Sequence, residues 1–304
     1  MDDTVGRVPC MIAVPLSDDI PSWVVPLRAA GARPPLFCVC GGGGSPLGFR
    51  DFALALPQDQ PVYSFEIPPL GIARTVPTVA QLAIAYVDAV RRLQPHGPYY
   101  LCGHSFGGLV AYEMAALLAG VGEPVGVVAL LDTLHPRHKR RMSRRDRFIF
   151  EARYLGDRVL KYAHNLGRGR PERVLRDGAL FIVGRAKSLY WRATRVACRR
   201  LGQPPPILIS SEALMVAEAW HAYEATDHDV PLVLFNAAER PAEFRRDLTL
   251  GWRACVSRPF EVHLVPGDHC SLLHPPHVQT LAHRVAPYLG VHAGADQTMD
   301  TVRT

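Results

Sequence analysis

The stretch YYLCGHSFGGLVAYEMAALL, residues 99–118, decides the fold of this chain. An apolar run, Tyr99–Cys102, precedes the pattern Gly-x-Ser-x-Gly, and an apolar segment of helical length, Phe106–Ala119, follows it. A strand that turns sharply into a helix holds such a serine in a strained backbone geometry and presents its hydroxyl above a sheet. The two glycines of the pattern leave room for that turn. The stretch therefore predicts a nucleophilic serine, Ser105, at the end of a buried strand.

The segments on either side repeat the alternation of strand and helix. A helix is predicted from Thr78, whose spacing to Gln81 fits a capping box, to about Leu93, and a closing helix at His277–Leu289. Strands that are hydrophobic throughout are typical of a parallel sheet covered by helices on both faces. The sequence thus predicts an α/β fold with a mostly parallel central sheet. Its further strands are expected at Leu36–Cys40, Pro61–Phe65, Val125–Leu131, Pro231–Phe235 and Phe260–Val265.

An arginine-rich segment interrupts this alternation. Between Arg137 and Arg200 there are 20 Lys or Arg residues and five Asp or Glu residues, a local charge of +15 in a chain whose net charge is +6. A segment so different in composition is a candidate separate unit. We expect an inserted helical lid at about residues 135–210, within a domain that covers residues 34–289. Residues 1–33 are interpreted as a leader or linker, and residues 290–304 as a flexible tail.

The composition is that of an ordinary globular protein, with 48% hydrophobic and 20% charged residues. The seven cysteines show no C-x-x-C spacing and are interpreted as reduced thiols. No run approaches the roughly 18 apolar residues of a membrane span, and the N-terminus lacks a secretory signal pattern. These features favour a cytoplasmic protein without membrane contact, and no motif calls for a metal ion or for nucleic acid.

A serine hydroxyl is a poor nucleophile without a base, so one of the 13 histidines must serve. The chain order in folds of this kind is nucleophile, acid, histidine. His269, in the sequence VPGDH just beyond a predicted strand, satisfies that order. By contrast, His263 lies inside the strand, and His274 and His277 belong to the following turn and helix start. His269 is the predicted base.

Two residues are candidates for the acid that orients this histidine. Asp132 directly ends the apolar strand Val125–Leu131, at the carboxyl edge of the sheet where catalytic groups collect. Glu239 follows the next strand, a position that many hydrolases use, but it lies several residues beyond the strand. The sequence favours Asp132 and leaves Glu239 as the alternative.

Together these residues resemble the thioesterase domains of polyketide synthases and nonribosomal peptide synthetases. The resemblance extends from about Pro26 to Leu289 and is carried by PPLFCVCGGGG (34–44), the stretch at 99–118, VVALLDT (127–133), LGWRACV (250–256) and FEVHLVPGDHCSLLHPPHV (260–278). It implies an α/β-hydrolase fold in which the inserted segment covers an acyl channel. It also implies Asp132 as the acid and an oxyanion hole made by the backbone N–H groups of Phe106 and Gly42. Many relatives carry histidine where Cys40 stands.

The resemblance implies release of an acyl, polyketide or peptidyl chain from carrier-protein phosphopantetheine through an acyl-Ser105 intermediate. Release would occur by hydrolysis or macrocyclisation, without a bound cofactor. The alternatives are a stand-alone editing thioesterase or carboxylesterase for small acyl groups and a non-catalytic binding module on the same scaffold. The partner would be an acyl or peptidyl carrier protein, which is usually acidic. The basic lid is either its docking surface or an ordinary solvated surface, and the candidate docking residues are Arg140, Arg141, Arg144 and Arg145.

Overall fold

The computed structural model describes residues 20–42, 45–68, 77–136, 222–240, 247–254, 256 and 258–290, with isolated positions between 190 and 220. One sheet contains the strands of these residues, in the order β1-β3-β2-β4-β5-β6-β7. Strand β1 is antiparallel to β3, and every other neighbouring pair is parallel. The predicted, mostly parallel sheet is confirmed. The strands are β1 (Val24–Arg28), β2 (Leu36–Val39), β3 (Val62–Phe65), β4 (Tyr99–His104), β5 (Val125–Leu131), β6 (Leu232–Ala237) and β7 (Glu261–Val265).

Four α-helices whose bounds lie within the described residues accompany the sheet: α1 (Arg50–Ala55), α2 (Val79–Leu93), α3 (Phe106–Gly120) and α4 (His277–Val285). Short 3₁₀ helices lie at Pro46–Phe49, Trp252–Ala254 and Ala286–Tyr288. The predicted capping box of α2 is present. Thr78 Oγ1 accepts a hydrogen bond from the Gln81 amide at 3.1 Å, and Gln81 Oε1 accepts one from the Thr78 amide at 2.9 Å.

The strands bury side chains on both faces of the sheet. Along β2, Phe37 and Val39 pack into the core that contains the apolar residues of α2 and α3. The intervening residues, Leu36 and Cys38, pack into the core that contains those of α1 and α4. Because successive side chains of a strand point to opposite faces, a strand covered on both sides reads as one unbroken apolar run. This is the physical basis of the apolar strands in the sequence.

The sheet begins earlier in the chain than the sequence indicated. Residues 1–33 were interpreted as a leader or linker, but Val24–Arg28 form the edge strand β1, with Val24 opposite Phe65. Pro26 interrupts the strand pattern in the sequence, and an edge strand tolerates proline because one of its sides needs no ladder hydrogen bond. Trp23 packs on Tyr86 with ring centroids 5.6 Å apart. Residues 1–19 lie outside the described residues.

The predicted insertion lies between β5 and β6. These strands are parallel neighbours in the sheet although residues 132–231 separate them in the chain. Most of the expected lid, including Arg140, Arg141, Arg144 and Arg145, lies outside the described residues, as does the expected tail after Gly290. Within the described part of the chain, no helix is long and apolar enough to cross a membrane.

Two glycines of α3 differ in their surroundings and offer a matched comparison. A methyl group on Gly107 would collide with the carbonyl oxygens of Val39 and Cys40, where the helix crosses the end of β2. A methyl group on Gly120, at the exposed end of the same helix, would meet open space. The first glycine is therefore required by packing against backbone, and the second is not.

We expect Gly107→Ala to lower the free energy of unfolding by about 2 kcal/mol or more, because backbone atoms of β2 must move. Gly120→Ala should leave it unchanged or raise it by up to about 1 kcal/mol, since alanine favours a helix. Urea unfolding of both variants measures the difference. Equal stabilities of the two variants would contradict the close packing of α3 against β2.

Candidate functional site

Ser105 stands at the turn between β4 and α3. Its backbone has φ 55° and ψ −119°, in the region of positive φ that residues other than glycine rarely adopt. Its amide donates a hydrogen bond to the carbonyl oxygen of Leu131, 2.9 Å away at the end of β5. A side chain at Gly103 would collide with the backbone at Gly107 across the turn. The strained strand–turn–helix geometry expected from the sequence is therefore present.

Three predicted residues form a continuous hydrogen-bonded series. His269 Nε2 lies 3.1 Å from Ser105 Oγ, and His269 Nδ1 lies 2.6 Å from Asp132 Oδ2. A carboxylate only accepts hydrogen bonds, so Nδ1 carries the proton of the neutral ring and Nε2 is left to accept one from the serine hydroxyl. This is the arrangement in which a histidine can remove the proton of a serine.

The alternatives that the sequence left open lie elsewhere. Glu239 is exposed, and its amide donates to the carbonyl oxygen of Gly267 at 3.0 Å. His263 Nε2 lies 2.6 Å from the Tyr288 hydroxyl, at the edge strand β7. His274 lies 3.5 Å from Asp51, a residue of α1. Among the candidates weighed from the sequence, Asp132 and His269 are the pair brought to Ser105.

The carboxylate of Asp132 is almost entirely buried and held by several donors. Its Oδ1 accepts hydrogen bonds from the Ala237 amide at 2.7 Å and from Arg240 Nε at 2.7 Å, and Arg240 Nη2 contacts the same oxygen. Burial raises the pKa of Asp132, but the hydrogen bond from His269 and the charge of Arg240 outweigh it, so that the pKa lies below its ordinary value. The carboxyl group is therefore an anion at neutral pH. Arg240 directly follows Glu239, but no pattern in the sequence marks it as a site residue.

His104, the residue before the serine, forms a second contact with His269. Its Nε2 lies 2.9 Å from the carbonyl oxygen of His269, which can only accept, so Nε2 carries the proton. The two rings lie 4.8 Å apart. Burial, together with the neighbouring His269, lowers the pKa of His104 to about 4. His104 is therefore neutral at physiological pH and supports the backbone of the loop that carries His269.

The glycine loop after β2 lies beside the nucleophile. A methyl group on Gly41 would lie 3.3 Å from Ser105 Cβ, and one on Gly42 would lie 3.9 Å from Phe106 Cβ and collide with Val216. The loop thus needs glycine for close approach to the turn. Gly42 and Phe106, the predicted oxyanion donors, are neighbours in the structure, and their role stays a prediction. Gly41 is a further glycine close to Ser105.

A mainly apolar pocket opens beside this loop. Burial raises the pKa of its Cys40 thiol to about 11, so the thiol is neutral and a poor nucleophile. Val216, from the chain segment that precedes β6, lies over Gly42 and contributes to the wall. The pocket is lined by Val39, Cys40, Gly41, Phe65, Ile67, Leu82, Tyr86, Phe106, Val110 and Val216.

Comparison with known families identifies the family of this chain. The model of the thioesterase domain family matches residues 34–287. The chain belongs to the thioesterase domain family. This thioesterase domain is 42% identical over 125 residues, 41% of the chain, to malpinin synthetase of Mortierella alpina. It is 28% identical over 274 residues, 86% of the chain, to chondramide synthase of Chondromyces crocatus. The chain spans only 2% of the length of the first relative and 7% of the second.

Solved structures confirm the α/β-hydrolase fold of the thioesterase domain. A four-domain nonribosomal peptide synthetase, AB3403, superimposes with a TM-score of 0.62 at 21% identity, covering 91% of this chain and 21% of that chain. The NocB thioesterase domain, in a covalent complex with a fluorophosphonate nocardicin G analogue, gives a TM-score of 0.57 at 23% identity. The superposition covers 88% of this chain and 100% of that chain. The resemblance to synthetase thioesterase domains that the sequence indicated is confirmed.

The lowered pKa of His104 predicts an acid-dependent loss of stability. Below its ordinary pKa of 6.5, His104 takes up a proton in the unfolded chain but stays neutral in the folded thioesterase domain down to about pH 4. The free energy of unfolding contributed by this residue therefore falls as pH falls from 6.5 towards 4. His104→Gln retains a hydrogen-bond donor and removes the titration.

We expect the stability of His104→Gln relative to the wild type to rise by about 2 kcal/mol between pH 7.5 and pH 5. Urea unfolding of both proteins at the two pH values measures it, and the titrations of residues that do not interact with His104 cancel in the difference. A difference in stability that does not change with pH would mean that His104 is not held neutral in the fold.

Proposed function

We propose that this chain is a serine thioesterase that releases an acyl, polyketide or peptidyl chain from the phosphopantetheine of a carrier protein. The reaction passes through an acyl-Ser105 intermediate. The observation that carries the proposal is the hydrogen-bonded series from Ser105 through His269 to Asp132, with separations of 3.1 Å and 2.6 Å, in a chain of the thioesterase domain family. A thioester carbonyl above Ser105 would meet a nucleophile, its base and the orienting acid at once.

In the first half of the reaction, His269 Nε2 takes the proton of Ser105 while Oγ forms a bond to the thioester carbonyl carbon. The carbonyl oxygen becomes an oxyanion, and the amides of Phe106 and Gly42 stabilise it. Each backbone donor of this kind contributes about 3 kcal/mol to the stabilisation of a transition state. The carbon–sulfur bond then breaks, and His269 returns the proton to the leaving pantetheine thiolate.

The second half resolves the ester on Ser105. His269 removes a proton from water, or from a hydroxyl or amine of the acyl chain itself, and that oxygen or nitrogen attacks the ester carbonyl. The product is a free acid in the first case and a ring in the second, and Ser105 regains its proton from His269. Cyclisation requires the inserted segment to fold the chain back over the site and keep water out.

Two further observations support a carrier-bound acyl substrate. A small pocket beside the glycine loop, lined by Phe65, Leu82 and Val110 among others, makes the surroundings of Ser105 apolar, and a hydrocarbon portion of an acyl group would pack against such a surface. The relatives matched along the chain are synthetases far longer than this chain, and one solved structure with this fold is a four-domain nonribosomal peptide synthetase.

We expect a panel of acyl-pantetheine thioesters to leave an acyl adduct on the wild type and none on Ser105→Ala. Loss of the nucleophile should lower turnover at least about a thousandfold, because neither His269 nor the oxyanion donors form the intermediate. Intact-protein mass spectrometry detects the adduct, and analysis of the released product separates the free acid from the ring.

The control for this experiment is Cys270→Ser, because Cys270 is an exposed thiol next to His269 that thioesters can acylate by exchange. The adduct should persist in this variant. An adduct that disappears with Cys270 and remains with Ser105→Ala would overturn the proposal. Turnover of small oxygen esters alone would favour the carboxylesterase alternative, and inertness to thioesters and to a fluorophosphonate would favour a binding module.

The carrier protein is proposed to dock on the basic segment between Arg137 and Arg200, whose local charge of +15 would attract an acidic partner. Long-range attraction of this kind acts on the encounter rate and is screened by salt. It would not affect a small thioester without a carrier. Sensitivity to salt and dependence on the carrier therefore distinguish docking from a solvated surface with no partner.

We expect charge reversal at Arg140, Arg141, Arg144 and Arg145 to lower kcat/KM for a carrier-bound substrate about tenfold at low salt. The value for a small thioester should not change. The matched control carries the same number of reversals on exposed arginines of the described core, Arg50, Arg91, Arg92 and Arg253. Unchanged turnover of the carrier-bound substrate at low salt would refute docking through this segment.

A further inference from the structure

We propose that Arg240 is a positioning residue of the reaction, which locks the Asp132 carboxylate in one orientation and limits the positive charge that His269 accumulates before substrate binds. The inference rests on the proposed role of Ser105 as a nucleophile. It concerns a residue whose guanidinium binds the Asp132 carboxylate and acts through it.

The two carboxylate oxygens of Asp132 have different hydrogen-bond partners. Arg240 Nε, at 2.7 Å, and Nη2 both point at Oδ1, which also accepts the Ala237 amide at 2.7 Å. Oδ2 pairs with His269 Nδ1 at 2.6 Å. Rotation of the carboxylate would break the bonds to Oδ1 together with the bond to His269. The guanidinium therefore fixes the direction from which the histidine is held.

This ion pair is buried, so its contribution is not screened as a surface pair would be. The side chain of Arg240 is 11% exposed and that of Asp132 is 2% exposed. A charge in such a place is costly unless it is paired and hydrogen-bonded, and removal of one partner leaves the other uncompensated. The pair is thus expected to be maintained throughout the reaction rather than to exchange with water.

Backbone hydrogen bonds connect the segment before Arg240 to the end of β7 and to the loop that leads to His269. The amide of Ala238 donates to the carbonyl oxygen of Val265 at 2.8 Å, and the amide of Glu239 donates to that of Gly267 at 3.0 Å. The segment after β6 is therefore tied to the loop that carries the base. Arg240 approaches Asp132 from this fixed segment.

The electrostatic consequence follows from the Asp132 carboxylate contacting both a guanidinium and a histidine. Arg240 carries a permanent charge, whereas His269 is charged only after it takes up a proton. The guanidinium offsets part of the negative potential that would otherwise favour a protonated His269 in the resting enzyme. Because only neutral His269 can accept the proton of Ser105, Arg240 extends activity to lower pH.

The other charged groups near His269 are the same in the wild type and in an Arg240 variant. Burial and the neighbouring His269 lower the pKa of His104 to about 4, so His104 is neutral above that value. Burial raises the pKa of Asp268, but hydrogen bonds from the Ser271 and Cys270 amides outweigh it and keep the pKa below its ordinary value, so Asp268 is an anion. His274 lies towards α1, 3.5 Å from Asp51. The acid limb of the rate profile is the fall in reaction rate as pH decreases. A shift of this limb on substitution of Arg240 is therefore attributable to Asp132 and His269.

The test uses the rate of inactivation by a small fluorophosphonate as a function of pH, because this reagent reports the nucleophilicity of Ser105 without a carrier or an acyl pocket. Ser105 Oγ forms a bond to phosphorus, fluoride leaves, and His269 takes the serine proton. The variants are Arg240→Gln, which removes the charge, and Arg240→Lys, which keeps the charge and loses the planar fork of donors. Arg33→Gln is the matched control, because Arg33 pairs with Asp59 at the opposite end of the sheet.

We expect Arg240→Gln to move the acid limb of the rate profile to higher pH by about one unit. Its rate at alkaline pH should fall about tenfold, because the carboxylate loses its fixed orientation. Arg240→Lys should restore the acid limb of the wild type and only part of the rate. Arg33→Gln should match the wild type throughout. In an Asp132→Asn background, Arg240→Gln should have no further effect on the rate, since Arg240 acts through that carboxylate.

The proposal would be overturned if the acid limb of Arg240→Gln coincided with that of the wild type. It would also be overturned if Arg240→Gln lowered the inactivation rate by the same factor in the Asp132→Asn background as in the wild type. Either result would leave Arg240 a merely structural residue. These outcomes are independent of thioester turnover, which tests the proposed function by itself. A wild type inert to the fluorophosphonate would refute the nucleophile and the role of Arg240 together.

Discussion

The backbone of Ser105 is held in a conformation that costs on the order of 1–3 kcal/mol for a residue with a side chain. The strand and helix around Ser105 pack so closely that the backbone of the turn has no room for another conformation. Gly103 and Gly107 bring the backbone of β4 into contact with that of α3, and the amide of Ser105 is bonded to the carbonyl oxygen of Leu131 on the neighbouring strand. The same turn places Phe106 at the start of α3 and directs the serine hydroxyl away from the core, so the rest of the site is arranged around it.

The parallel sheet explains how distant parts of the chain meet at this hydroxyl. Strands β4, β5, β6 and β7 are consecutive neighbours, and their carboxyl ends lie along one edge. Ser105, Asp132, Arg240 and His269 each follow one of these ends. Residues 132–231 separate β5 from β6 in the chain without interrupting this edge, because the two strands are neighbours in the sheet. At this edge the Asp132 carboxylate contacts both Arg240 and His269.

Much of the fold was predictable because its strands are buried on both faces and its helices have clear boundaries. The strands β2 to β7 and the helices α2 and α3 lie within a few residues of their predicted bounds, and the capping box at Thr78 is present. The edge strand β1 and the short helix α1 were not predicted. Pro26 argued against a strand at Val24–Arg28, and a helix of six residues is too short for a periodic pattern to be recognised.

The sequence alone predicted Ser105, His269 and Asp132 as site residues, because a strained turn needs glycines at fixed spacing and because strand ends are visible as the ends of apolar runs. It also indicated the family through contiguous motifs. Only the tertiary structure decided between Asp132 and Glu239 as the neighbour of His269, since that choice depends on which strand end faces the histidine loop. The contacts of Arg240 with Asp132 and of His104 with His269 were likewise decided by the fold. Neither contact has a local pattern, because each joins residues more than 100 positions apart.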